Sequence, residues 1–285
     1  MPLPRRNFLK LALGAAALPE LIGSQTALLA DSVLPAAGKK IPLCIQVYSV
    51  RDLFKKDPDA TFAALKEAGY DGIEYCSNFQ GIPVEKLRDL QEKYGLFCSG
   101  THTGMANICE PEQLKKTIED HKTVNAKFAI CSWMKNDSIQ AWLDAAKKFN
   151  AASEVAREAG IWIGYHAHQH DFTKTENGLS TWEIFGKNTS RDVILQNDIG
   201  HCVNFGGDPY ALLEAFPGRS RSLHIRESDN KLMGEGRVDW KRIFRLAESA
   251  GGIEVYSIEF SEVTGISDPM EVARRNVEAF RKLHG

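Results

Sequence analysis

The 285-residue chain has no C-x-x-C spacing among its six cysteines, no block of like charge, and no apolar run long enough to cross a membrane. Each absence removes a class of protein. A structural zinc site built on thiolates has no ligand source here, because Cys44, Cys98 and Cys131 sit inside apolar runs, where cysteine behaves as a small hydrophobe. Nothing in the spacing of the six argues for disulfides. The formal charge of −2 is spread along the chain and leaves no electrostatic footprint for nucleic acid. What remains, with 43% hydrophobic and 25% charged residues, is a globular chain long enough for one large α/β core. A small soluble substrate suits it better than a nucleic acid or a membrane; a homo-oligomer is compatible with the composition.

The first thirty residues read as an address and not as part of the fold. Arg5-Arg6-Asn7-Phe8-Leu9-Lys10 is followed by the apolar Leu11 to Leu18 run and by Ala27-Leu28-Leu29-Ala30, the basic, apolar and small-residue zones of an export signal. The arginine pair resembles the twin-arginine signal, with Pro4 where that pattern favours Ser, and the expectation is export to the periplasm. Setting aside Arg5, Arg6, Lys10 and Glu20 moves the formal charge from −2 to −4. A linker over 31–41, with Gly38-Lys39-Lys40, would lead into a domain over 42–285.

From there strand-like and helix-like stretches alternate to the C-terminus, which is the pattern of parallel β/α units. Strands are expected at 43–48, 72–76, 97–101, 128–132, 162–166, 193–198, 222–225 and 255–260. Asp57-Pro58 opens a helix with an N-cap acid and Pro at N1, Phe62, Leu65 and Ala68 share one face, and Gly69 ends it. Pro83, Pro111, Pro209 and Pro269 mark comparable starts. Eight such units, each of about 30 residues, predict a closed (β/α)8 TIM barrel, with any active site at the C-terminal ends of the strands.

The chain turns on Ile161-Trp162-Ile163-Gly164-Tyr165-His166-Ala167-His168-Gln169-His170, an apolar run that ends in three histidines. Side chains alternate along a strand, so His166 and His168 point the same way, with Ala167 between them on the other face. The remaining strand ends read Gln46 and Tyr48, Glu74, His102, Ser132 and Trp133, Asp198 and His201, His224 and Arg226, and Glu259. Each alone could be a satisfied core group or a solvated loop residue; a purely structural barrel has no need to gather them all at one edge. A carboxylate buried there without a partner would be costly. A divalent cation bound by Asp198, His224, Glu259 and one strand-five histidine, His166 or His168, removes that cost. Mixed imidazole and carboxylate ligands suit Mn²⁺, Co²⁺, Fe²⁺ or Zn²⁺ better than Ca²⁺. Gln46, His102 and Trp133 share the edge and are candidates for contacts to substrate.

The order of a strand-five ligand, Asp198-Ile199-Gly200-His201, Leu223-His224-Ile225-Arg226, Gly234-Glu235-Gly236-Arg237-Val238-Asp239-Trp240 and Ile258-Glu259 resembles the xylose isomerase-like barrel superfamily, in particular its sugar phosphate isomerase/epimerase branch. Ile45-Gln46-Val47-Tyr48, Gly69-Tyr70-Asp71-Gly72-Ile73-Glu74 and Tyr165-His166-Ala167-His168 resemble that branch too. The resemblance implies a metal that grips a hydroxyl and a carbonyl of a sugar while a carboxylate removes the proton between them, giving an enediolate stabilised by the cation. It carries over Asp198, His224 and Glu259 as ligands beside one strand-five histidine, His166 or His168, Glu259 also as base, and His201 and Arg226 as substrate contacts. The ketose 3-epimerases of the superfamily place a Glu on strand five, where this chain has His166. The symmetrical two-glutamate mechanism therefore does not transfer, and Glu74 or His168 is left as the second acid/base.

The first expectation is thus a metal-dependent sugar isomerase or epimerase, and the second a 3-keto-glycoside lyase or hydrolase using the same site. An endonuclease IV-like phosphodiesterase would need further metal ligands after strands four and seven, where this chain has Trp133 and Ser228-Asp229-Asn230. It ranks below both, beside a non-catalytic sugar-binding barrel.

Overall fold

The computed structural model describes residues 40–134 and 138–285. The export signal expected at 1–30, and nearly all of the linker, lie outside them. Among the described residues eight parallel strands alternate with helices: β1 Leu43–Gln46, β2 Gly72–Tyr75, β3 Phe97–Thr103, β4 Phe128–Cys131, β5 Trp162–His166, β6 Ile194–Gln196, β7 Ser222–His224 and β8 Val255–Ile258. Their order, β6-β5-β4-β3-β2-β1-β8-β7, wraps the sheet into a TIM barrel, as the alternation predicts. Between β6 and β7 there is no ladder. The barrel closes there through a single parallel bridge from Asp198 to His224, with the His224 amide donating to the Asn197 carbonyl at 3.1 Å.

Several strands stop earlier than their apolar runs suggest, and each stop has a local cause. After Gln46 the chain turns into the short helix Val47–Val50, whose Tyr48 amide donates to the Gln46 side chain. After Gln196 it leaves the ladder so that Asp198 can cap the helix Ile199–Asn204, its Oδ1 accepting from the His201 amide at 2.8 Å. The helix Pro58–Ala68 is built as its sequence dictates, with Asp57 accepting from the Ala60 amide and Gly69 closing it at φ 97°, a conformation that favours glycine.

The core lies mainly between strands and helices, where Trp142, Trp182 and Trp240 are fully buried. Inside the barrel only a small apolar plug of Cys44, Phe128, Ile130, Ile194 and Val255 is formed. Toward the C-terminal end it gives way to buried polar groups. Strand parity explains the change: Ile194 leads to Gln196 and Asp198, Ser222 to His224 and Arg226, Val255 to Ser257 and Glu259, each series pointing inward every second residue.

Candidate metal centre and barrel mouth

His166, Asp198, His224 and Glu259 converge on one point, each offering a donor atom within 4.8 Å of all the others, and all four are buried. They come from the ends of four different strands. His166 is the last residue of β5 and His224 the last of β7; Asp198 and Glu259 stand just past β6 and β8. His102 approaches from β3, its ring stacked on His224 with centroids 5.1 Å apart and planes at 11°. Its ring centre lies 4.6 Å from that of His166.

The carboxylates are bridged by Arg226, whose Nε donates to Asp198 Oδ2 at 2.9 Å and whose Nη2 donates to Glu259 Oε1. Arg226 is itself only 8% exposed. Burial alone would raise the Glu259 carboxyl, but Arg226 and His224 outweigh it and hold it well below the usual range. Asp198 is lowered in the same way: burial opposes, and His201 and Arg226 prevail. Both are therefore ionised.

Glu74 does not face the mouth. It is fully buried beneath His224, with Oε2 accepting from His224 Nε2 at 2.6 Å and from Ser257 Oγ at 2.9 Å, and Oε1 accepting from Gln196 Nε2 at 2.7 Å. Burial pushes its pKa up, yet His224 and His102 beside it pull it down to about 2. The expectation that Glu74 reaches substrate as a second acid/base is corrected by this geometry, since both oxygens are taken by groups inside the barrel. Glu74 instead fixes His224 with a proton on Nε2, which turns Nδ1 toward Glu259.

That orientation creates a conflict which tests whether a cation fits. His166 Nε2 lies 4.0 Å from Glu259 Oε2; His224 Nδ1 faces the same oxygen at 2.6 Å, and neither of these last two atoms has a hydrogen-bond partner. Two lone pairs at that distance need a proton or a metal ion between them. With a proton, the imidazolium is held by its neighbours: burial lowers the His224 pKa, but Glu74 and Glu259 lift it to about 10. A divalent ion satisfies the same atoms and also matches the charge, because Glu74, Asp198 and Glu259 against Arg226 leave the pocket near −2 when the histidines are neutral. The donor set thus fits a divalent metal, with no thiolate among the ligands.

The other expected residues lie around this centre. His168 stands beyond the end of β5, its ring 4.7 Å from that of His166 and 5.4 Å from that of His201. Burial pushes its pKa down to about 4, so it is neutral at pH 7. Its backbone amide donates to Asp171 Oδ2 at 2.8 Å, and Tyr165, on the outer face of the strand, donates to the same oxygen at 2.8 Å. Asp171 therefore fixes the loop that carries His168. Trp133 is 54% exposed at the mouth, its ring 5.1 Å from His168 and 4.5 Å from His170. His201 is half-buried, and its amide is the one that caps onto Asp198. Gln46 is fully buried, its Nε2 without a partner. His102 is also buried and bonded to Gln196 at 2.8 Å, so as the structure stands its Nε2 is not free for substrate.

Gln196, Ser222, Ser257 and Asp171 were not singled out from the sequence. For Gln196 a signal existed: it shares inward parity with Asp198 in an otherwise apolar strand. The Gly234 to Trp240 motif is explained by Glu227, which accepts from the Gly234 amide at 2.8 Å and from Trp240 Nε1 at 2.6 Å. A Cβ on Gly236 would lie 2.3 Å from Glu227 Oε1, so a larger residue there would have to displace the Glu227 carboxylate from these bonds.

A barrel with a mixed histidine and carboxylate cluster at its C-terminal mouth defines a class, and sequence comparison agrees with it. The chain belongs to the xylose isomerase-like TIM barrel family, whose profile matches residues 62–283. It is similar to an inosose dehydratase of Clostridium beijerinckii, 21% identical over 168 residues that make up 51% of this chain and 56% of that protein. The chain thus spans little more than half the length of the curated relative. By structure it resembles a sugar phosphate isomerase/epimerase from Parabacteroides distasonis, with a TM-score of 0.76 and 22% identity over 87% of this chain and 96% of the other. A 3-keto-D-glucoside 4-epimerase from E. coli gives a TM-score of 0.66 at 15% identity, over 85% of this chain and all of its own. At such identities these likenesses speak for the fold.

Proposed function

We propose that the protein is a metal-dependent sugar isomerase or epimerase that removes a proton from the carbon next to a carbonyl. The observation that carries this reading is the unpartnered pair His224 Nδ1 and Glu259 Oε2, set with His166 and Asp198 in one buried cluster. A divalent ion held there supplies Lewis acidity to the substrate's carbonyl and adjacent hydroxyl, which acidifies the C–H between them. Glu259 is ionised and accepts the proton, while Arg226 keeps its other oxygen occupied and its carboxylate aimed. His168, neutral and at the mouth, is the second proton-handling group. Trp133 offers an exposed aromatic face beside it for a sugar ring. Names of relatives support this class, since an inosose dehydratase is similar in sequence and a sugar phosphate isomerase/epimerase and a 3-keto-D-glucoside 4-epimerase share the fold.

One observation favours a second reading. With Glu74 enclosed behind His224, the site presents one available carboxylate base and one imidazole, not two carboxylates on opposite faces. That asymmetric pair suits elimination from a 3-keto-glycoside, where Glu259 takes the C–H proton, the C–O bond to the aglycone breaks, and the neutral His168 gives its N–H proton to the departing oxygen. Export, expected from the first thirty residues, favours unphosphorylated sugars or glycosides under either reading.

Incubation with ketoses and 3-keto-glucosides in ²H₂O separates the two. An epimerase returns substrate and epimer carrying deuterium at the reacting carbon with the glycosidic bond intact, whereas a lyase releases the aglycone and leaves an unsaturated keto sugar. Glu259→Gln is expected to remove either outcome, a loss of at least 100-fold in kcat or roughly 3 kcal/mol of transition-state stabilisation. Undiminished exchange in that variant would take Glu259 out of the chemistry.

A further inference from the structure

The polar layer beneath the metal centre contains one residue that no sequence motif marks and that touches two of its histidine systems at once. Gln196 is fully buried at the end of β6. Its Nε2 donates to Glu74 Oε1 and to Ser222 Oγ, both at 2.7 Å, and its Oε1 lies 2.8 Å from His102 Nε2. A carboxylate can only accept, so the amide must turn its NH₂ toward Glu74 and its carbonyl toward His102. His102 must then carry its proton on Nε2.

We propose that Gln196 is a positioning residue that sets the tautomer of His102 directly and the orientation of His224 through Glu74. It is suited to this because an amide, unlike another carboxylate or histidine, does not ionise and so offers the same donor and acceptor at every pH. One side chain thereby commits His102 to Nδ1 as its unprotonated nitrogen and braces the carboxylate that turns His224 Nδ1 toward the ligand cluster. The hydroxyls of Ser222 and Ser257 complete the brace, the first accepting from Gln196 and the second donating to Glu74 Oε2. Partners of this kind around metal-binding histidines typically contribute 10- to 100-fold in metal affinity.

This inference rests on the metal-centre reading for its effect on affinity, but not for the tautomer, so the two can fail separately. In the metal-free wild-type protein, ¹⁵N–¹H correlation of the histidine rings should show His102 as the neutral Nε2–H form. In Gln196→Met, Co²⁺ titration followed by its visible absorption should show affinity lowered roughly 10- to 100-fold, with the far-ultraviolet circular dichroism unchanged. Gln196→Glu, which places a second carboxylate against Glu74, should lower the melting temperature more than Gln196→Met does. A wild-type His102 carrying its proton on Nδ1 overturns the proposal without any variant being made. So does a folded Gln196→Met that binds Co²⁺ as tightly as wild type. If wild type itself binds no metal while His102 is Nε2–H, the functional reading falls and the role of Gln196 in the tautomer stands.

Discussion

A buried carboxylate is defined by what its oxygens touch, and Glu74 shows how far that departs from what a strand-end position suggests. Both oxygens are saturated by His224, Ser257 and Gln196 inside the barrel. If Glu74 acts through His224, Glu74→Gln should weaken metal binding by roughly 10- to 100-fold, and activity should recover at saturating metal. A reacting base would behave the other way. Its loss would depress kcat at every metal concentration and leave metal affinity unchanged, so a metal titration with kcat measured at each point distinguishes the two. Asp198 makes the complementary case, because it serves at once as a helix cap and as a member of the cluster: Oδ1 caps the His201 amide while the side chain as a whole stays among the candidate ligands.

At the level of elements, the weak seam between β6 and β7 is held from below by Arg219. This arginine is 5% exposed and, among the described residues, has no carboxylate partner; it donates to the carbonyls of Val193 and Gly186 and to Thr189 Oγ1 at 2.7 to 2.9 Å. It therefore ties the end of the helix Thr181–Asn188 to the start of β6, and its own carbonyl accepts from the Leu195 amide at 2.9 Å. Burial pushes its pKa down to about 10, leaving it charged at neutral pH. Arg219→Met should strand several buried acceptors and cost about 2 to 3 kcal/mol, a fall in Tm of roughly 5 to 10 °C by calorimetry. A change under 1 °C would mean that solvent replaces the guanidinium. The elements themselves were legible because apolar runs, helix caps such as Asp57 and breakers such as Gly69 are local signals. Strand ends were less so, since what stops β6 is the capping geometry of Asp198 and what stops β1 is Gln46 bonding to Tyr48. The interior network was hardest to read: that Glu74 sits under His224 depends on the packing of β2 against strands some 150 residues away.

For the whole molecule, the buried titratable groups set the pH range in which the metal-free protein holds together. His168 is pushed to about 4 by burial, and His102, His121 and His166 are lowered by burial as well. Their folded pKa values lie below the unfolded ones, so the stability they contribute is present above about pH 6.5 and is lost as pH falls from there, for His168 through about 4. Asp171 acts in the opposite sense: burial raises it to about 6, and what it contributes is lost as pH rises from about 4 through 6. With His224, which also gains as pH falls to 6.5, two groups stand against four and the acid side declines. His224, lifted to about 10 despite its burial, contributes stability that is full below pH 6.5 and lost as pH rises toward 10. The metal-free protein should therefore melt lower at pH 9 than at pH 7, and lower at pH 5 than at pH 7. A bound divalent ion replaces the His224 proton, so the metal-loaded protein should lose the decline between pH 7 and 9. Melting curves at these three pH values, with and without Co²⁺, check it; the same alkaline decline in both forms would separate His224 from the ion.

Whether His166, Asp198, His224 and Glu259 together hold one divalent ion is decided by anomalous diffraction from Co²⁺-loaded crystals, recorded on either side of the cobalt edge. A single strong anomalous peak per chain is expected, enclosed by those four side chains, with His224 presenting Nδ1 and keeping Nε2 on Glu74. A peak bounded by other residues, or full Co²⁺ loading in solution with no peak among these four, would contradict it.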